Sequence, residues 1–232
     1  MARISQNTIA EAAAAAASAD TLDASTTVGD GTAEDTKIVF DGNALDFRIG
    51  IDDGDDTLEI GKGNAHGTTA HMILDTNGII REPLQPCFLA FKSANTASAT
   101  GDGTMVTIVY NTEVFDTNAD YNNSTGVFTA PVTGKYSFQG TCKLGLVSSS
   151  VNRIYGTFNA SNGNGQVISE MPGDGGELLS GNGIHTISFA FILDMDASDT
   201  CYMVIGANGT SKSFAIQGNT QPDHMFSGHL IG

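Results

Sequence analysis

The stretch Gly126-Val127-Phe128-Thr129-Ala130-Pro131-Val132-Thr133-Gly134-Lys135-Tyr136-Ser137-Phe138 decides how this chain is read. Phe128, Tyr136 and Phe138 are its large side chains. Tyr136 and Phe138 stand two apart with Ser137 between them. Successive side chains of a strand point to opposite faces, so these aromatics point together into a core. Gly126 and Gly134 permit turn conformations at either end. Pro131 has no N–H to donate and suits an unpaired strand end. The block reads as a strand, a turn and a second strand.

The same period runs on towards the C-terminus. Cys142, Leu144 and Leu146 continue the apolar positions of Tyr136 and Phe138, with Lys135, Ser137, Gln139, Thr141 and Lys143 between them. Ile187, Phe189, Phe191 and Leu193 oppose Thr186, Ser188 and Ala190; Cys201, Met203 and Ile205 repeat the pattern. One apolar face per strand predicts antiparallel sheets packed face to face, an all-β sandwich or jelly roll. With 28 Gly and only 5 Pro, the chain is built for many short strands joined by tight turns.

Pro83 and Pro86 bracket an extended linker, and before it lies a thinner zone from Lys37 to Pro86. Lys37-Ile38-Val39-Phe40 is a short strand closed by Asp41-Gly42-Asn43. Phe47, Ile49 and Ile51 alternate with Arg48 and Gly50, the pattern of a half-buried strand. Asp52 to Asp56 makes a turn, and Leu58 and Ile60 lie on the return strand. A third strand at His71 to Leu74 ends at Asn77-Gly78, and Ile79-Ile80 follow. A module with so few large side chains needs oligomerisation to bury a core. Further upstream, Ile4 to Asp20 contains the run Ala12 to Ala17, which predicts a short helix in need of a partner.

Ten Lys and Arg stand against 26 Asp and Glu, a formal charge of −16. So acidic a chain argues against nucleic-acid binding and against docking on anionic membrane, and it favours solubility. The Ala run is too short and too weakly apolar to span a bilayer, and the N-terminus reads as carrying no signal peptide. Cys87, Cys142 and Cys201 are odd in number and far apart, matching neither a disulfide framework nor a CxxC site; buried free thiols fit folding in a reducing cytoplasm.

Two resemblances follow from these residues. Phe88-Leu89-Ala90, Val109 to Asp116, Tyr121 and the Gly126 to Phe138 block resemble the opening half of the complement-subcomponent globular head, a fold shared with tumour-necrosis-factor-like ligands. Asp196 to Val204 resembles the family's acidic turn and following strand, and Met225 to Ile231 its last strand, with His229 where an aromatic is usual. The resemblance implies a ten-stranded jelly roll over residues 87–232 that assembles as a homotrimer. It also implies chain ends lying together at the base of the trimer. Lys37 to Gly61 is similar to a module of tailed-bacteriophage fibre and spike proteins, and no collagen-like repeat precedes the head. Residues 1–36 are then expected to be the virion anchor, 37–86 a β-hairpin stalk and 87–232 an outward-pointing head.

No catalytic, cofactor-binding or metal-ligating residue is assigned. The chain has no G-x-S-x-G motif and no phosphate-binding Gly fingerprint. It has neither the length nor the repeats of a β-helical glycan depolymerase. Asp53-Gly54-Asp55-Asp56 lacks the spacing and closing Glu of an EF-hand and reads as a solvated turn. His66, His71, His185, His224 and His229 could each be tripled on a threefold axis to hold a metal, but read as ordinary strand or loop histidines. The loop tips Asn162 to Gly165 and Pro172 to Gly176 read as receptor contacts or plain connectors. The expected function is non-enzymatic: a virion fibre or appendage, folded in the host cytoplasm, whose head recognises a host-surface glycan or protein. A decoration protein that binds no host is the alternative, and a soluble tumour-necrosis-factor-type ligand the second.

Overall fold

The computed structural model describes residues 26–67, 69–147, 151–162, 183–209 and 211–232. The expected Ala-rich helix falls outside these residues. The described residues contain strands and turns and no helix. The chain divides into two compact units, Met1–Pro83 and Leu84–Gly232.

The first unit is an antiparallel sheet of five strands in sequence order: β1 (Thr36–Phe40), β2 (Phe47–Asp52), β3 (Thr57–Lys62), β4 (Ala70–Leu74) and β5 (Ile80–Arg81). Asp52 pairs with Thr57 at the turn expected over Asp52 to Asp56, where Asp56 takes a φ of 54° and the Gly54 N–H donates to Asp52 Oδ1 at 3.0 Å. At the β4–β5 turn, Asp75 Oδ1 accepts from the Asn77 and Ile79 N–H groups, both at 2.9 Å, and Gly78 has a φ of 79°. These are Asx-type turns, in which a side chain replaces a missing backbone partner.

The alternation in this sheet is as expected, and its apolar side is the open one. Register places Ile38, Phe40, Phe47, Ile49, Ile51, Leu58, Ile60, Met72, Leu74 and Ile80 on one face. That face is open within the chain: Phe40 is 61% exposed, Phe47 43% and Ile51 42%. The buried side is the polar one, with Arg48 at 0% exposure and Glu59 beside it. The segment between β3 and β4 folds across this side, and Arg48 Nη1 donates to the carbonyls of Lys62 at 2.7 Å and Gly63 at 3.4 Å.

The second unit contributes β6 (Cys87–Phe91), β7 (Thr96–Thr100), β8 (Val106–Thr107), β9 (Thr112–Asp116), β10 (Tyr121–Asn122), β11 (Val127–Thr129), β12 (Gly134–Val147), β13 (Arg153–Ala160), β14 (Gly183–Met195), β15 (Thr200–Asn208), β16 (Phe214–Ile216) and β17 (Met225–Leu230). β8 and β10 are two-residue pieces; the other ten form the body of a jelly-roll sandwich. One sheet runs β7-β16-β12-β17-β6-β9 with β14 also paired to β12, and the other runs β10-β11-β15-β13 with β8 also on β15. Strands far apart in sequence lie side by side, as β12 with β17 and β6 with β9, which is the crossing pattern of a jelly roll.

The core lies between the sheets. Phe128, Tyr136, Phe138, Phe158 and Phe226 are all buried within it, and Phe138 meets Phe128 at 5.4 Å between ring centroids and Phe158 at 6.3 Å. Each such aromatic, fully buried, contributes about 1.5–3 kcal/mol by removal from water. Cys142, Leu144, Ile187, Phe189, Leu193, Cys201, Met203 and Ile205 are buried as their period predicts.

Leu146 is the exception. β12 changes register between Leu144 and Val147, Leu146 takes a φ of 61°, and its side chain is 48% exposed while Val147 enters the core. A bulge of this kind shifts the alternation by one residue. Gly126 is the turn glycine expected, with a φ of 79°. Gly134 serves instead through close approach: a Cβ there would sit 2.7 Å from Leu230 Cδ1 and 3.2 Å from the Gly232 carbonyl.

Candidate functional site

Two features of the molecule can carry interaction or chemistry: the outer face of the seven-stranded sheet and a buried polar cluster under the five-stranded one. On the head sheet, inward positions run Asp116-Phe88-Gly228-Phe138-Phe191 from strand to strand, so the alternate rows look outward. One outward row is Phe115-Leu89-Ser227-Gln139-Ala190 and the next is Cys87-His229-Ser137-Ile192. Phe115 and Ile192 are exposed, and Leu89 and Met225 half-exposed. Two shallow grooves of about 320 and 360 Å³ lie on this face, between Leu89, Thr141, Ser188 and Met225 and between Cys87, Leu89, Phe115 and His229. Scattered apolar side chains among Ser, Thr and Gln, without a charge cluster, are the composition of a protein–protein contact rather than of a catalytic cleft.

The polar cluster brings Arg48, Glu59 and His66 together. Arg48 Nη2 lies 2.9 Å from Glu59 Oε2, and His66 Nδ1 lies 3.0 Å from the same oxygen. The Thr69 hydroxyl donates to the Lys62 carbonyl and closes the segment over the cluster. Burial by itself pushes the Glu59 carboxyl up. Hydrogen bonds from Arg48, His66 and the Gly67 N–H, with the Arg48 charge, outweigh it and hold the group below the usual carboxylate range. His66 Nδ1 also lies 3.4 Å from Arg48 Nε, and its Nε2 is buried with no hydrogen-bond partner. Asp52, Glu59 and His66 each offer a ligand atom within 4.8 Å of the others, so the geometry of a cation site is present in outline. Arg48 already supplies a positive charge to Glu59, and a divalent ion would have to stand beside that guanidinium. The arrangement is best suited to an internal salt bridge. Arg48 and Glu59 were not among the residues singled out from sequence; an Arg alternating with Phe and Ile was the available sign.

The remaining sequence candidates are dispersed. His71 lies at the register shift of β4, its ring 6.1 Å from that of Phe47. His185 is on β14, and burial holds its pKa below the ordinary value. His224 is buried at the entry to β17, 3.1 Å from Asp223; burial lowers its pKa, with Asp223 opposing and Lys143 adding to the effect. His229 projects from the outer face of β17. Among the described residues, only His66 joins a group of three ligand-bearing side chains. Burial pushes the Cys142 thiol up to about 12, with Lys92 opposing, and the Cys201 thiol higher still. Of the loop tips, Asn162 is described and gives its side-chain amide to the Asp194 carbonyl at 2.7 Å. Residues 163–165 and 172–176 fall outside the described residues.

A solved structure of the globular domain of zebrafish complement 1qA protein is similar, at 16% identity and a TM-score of 0.44, over 64% of this chain and 98% of that one. No curated protein matches the chain in sequence. The family profile of the C1q domain matches residues 90–231, well over half of the chain and nearly the whole of the second unit. With the sandwich, its strand crossings and that match in hand, the chain belongs to the C1q domain family.

Proposed function

We propose that this protein is a homotrimeric, non-enzymatic virion appendage: residues 1–36 anchor it, 37–86 form a stalk and the head over 87–232 recognises the host surface. The observation that carries the trimer is the outer face of the seven-stranded sheet, where Phe115, Leu89 and Ile192 are turned away from the core among small polar residues. Membership of the C1q domain family, whose heads form trimers and serve as binding or structural modules, supports the same stoichiometry and the absence of catalysis. The viral setting rests on the likeness of Lys37 to Gly61 to tailed-phage fibre modules. Sedimentation of the full chain at neutral pH is expected to give the mass of three copies, and a folded monomer overturns the proposal. Fluorescently labelled full-length protein is expected to stain host cells. Absence of staining, with normal adsorption of particles lacking the protein, favours a decoration role. The family match also accommodates a soluble tumour-necrosis-factor-type ligand, for which saturable binding to animal cells is the distinguishing result.

A further inference from the structure

We propose that the apolar face of the five-stranded sheet is a second self-association surface, covered in solution by the same face of further copies of this chain. Three observations lead there. First, this sheet buries its polar side and opens its apolar side, so half its sequence pattern has no partner within the unit; a single-layer sheet needs a second layer to be stable. Second, Ile38, Phe40, Phe47, Ile51, Ile60 and Ile80, each about half exposed, leave on the order of 500 Å² of contiguous apolar surface. That lies toward the upper end of the roughly 300–600 Å² of the largest patch on an ordinary monomer, a size that often marks an interaction site, and it goes more than half way to the roughly 800 Å² per partner of a standard interface. Third, the charge selects the occupant. In a chain of net −16, the strand positions on this face carry no carboxylate, and Lys62 is their one cation. Two such acidic chains meet here without the repulsion that separates them elsewhere, and the surface offers a charged partner only Lys62 to pair with.

The chain's own N-terminus is a poor substitute. Residues 1–25 hold only Met1, Ile4, Ile9 and Leu22 as large apolar side chains, against ten on the face. The groove of about 220 Å³ between Val28, Ile38, Ile49, Ile51 and Leu58 gives an incoming side chain a place to insert. The contact is independent of the head face; only the number of copies, three, rests on the trimer reading above.

The test is photocrosslinking of the full chain with p-benzoylphenylalanine in place of Phe40, whose ring is exposed enough to tolerate the change, and with the same probe at Phe47 as a second position. Chains of natural and heavy isotope content are assembled together, so that mass spectrometry separates crosslinks between chains from those within one. The expected result is crosslinks from the probe to residues 38–60 of a differently labelled chain. Crosslinks confined to the probe's own chain, whether to residues 1–25 or 84–232, overturn the inference. So does the absence of crosslinks at both positions. Sedimentation of the same samples keeps the two readings apart. A trimer without interchain crosslinks here removes this surface and leaves the trimeric head standing. A monomer removes both.

Discussion

Replacing Arg48 with Met is the most informative single change in the molecule. Arg48 is wholly buried, forms a 2.9 Å ion pair with a Glu59 that is itself buried, and donates to the Lys62 carbonyl. Met fills much of the same volume but leaves a carboxylate and a carbonyl in a dry site. Breaking a buried pair from one side costs about 3–5 kcal/mol, because the remaining charge is uncompensated. The cluster lies within the first unit, under β2 and β3, so the loss is local and is read by hydrogen exchange rather than by the global transition. Amides of β2 and β3 are expected to exchange more than a hundredfold faster, since every 1.4 kcal/mol is a factor of ten. The double variant Arg48→Met/Glu59→Met removes both charges and is expected to recover most of the loss, as apolar replacements of buried pairs do. Acid gives an independent check. Glu59 is held below its ordinary value, so its contribution is complete above about pH 4.3 and disappears as pH falls through the folded-state value. The Arg48 variant should lack that acid-labile component. A single variant costing under about 1 kcal/mol, or a double as costly as the single, refutes the reading of the cluster as a dry, charge-compensated salt bridge.

Three further outcomes are expected. Gly228→Ala in β17 places a Cβ 2.6 Å from the Phe138 ring and 2.7 Å from that of Phe88; such overpacking costs about 1–3 kcal/mol, seen as a fall of several degrees in the melting of the head. Ellman titration of the native protein should leave Cys142 and Cys201 unreactive until denaturant is added, any early reaction mapping to the half-buried Cys87. His224 is held neutral chiefly by burial, so the folded head binds its proton less readily than the unfolded chain does; the stability this confers is present above about pH 6.5 and lost as pH falls below it. Melting temperatures recorded across that window should decline in the wild type and decline less in His224→Gln.

Much of the head was legible in the sequence. Phe128, Tyr136, Phe138, Ile187, Leu193, Cys201 and Met203 are core residues because a two-residue period on an apolar face has one low-energy solution, burial against a second such face. The hairpin at Asp52 to Thr57 was legible because Asp and Gly accept turn dihedrals and supply turn hydrogen bonds locally. Three things belonged to the tertiary structure. Leu146 turns outward because β12 changes register between Leu144 and Val147, with β14 on one side and β16 on the other, and a bulge settled by those partners shifts the alternation by one residue. Gly134 answers to the close approach of Leu230 and the last carbonyl, which come from the far end of the chain. Most tellingly, the period of β2 and β3 distinguishes two faces of a sheet but carries no sign. Arg48 and Glu59 face inward because the segment carrying His66 and Thr69 folds across them and satisfies their hydrogen bonds. Which face of a strand is buried is decided by what comes to cover it, and that is a property of the folded chain.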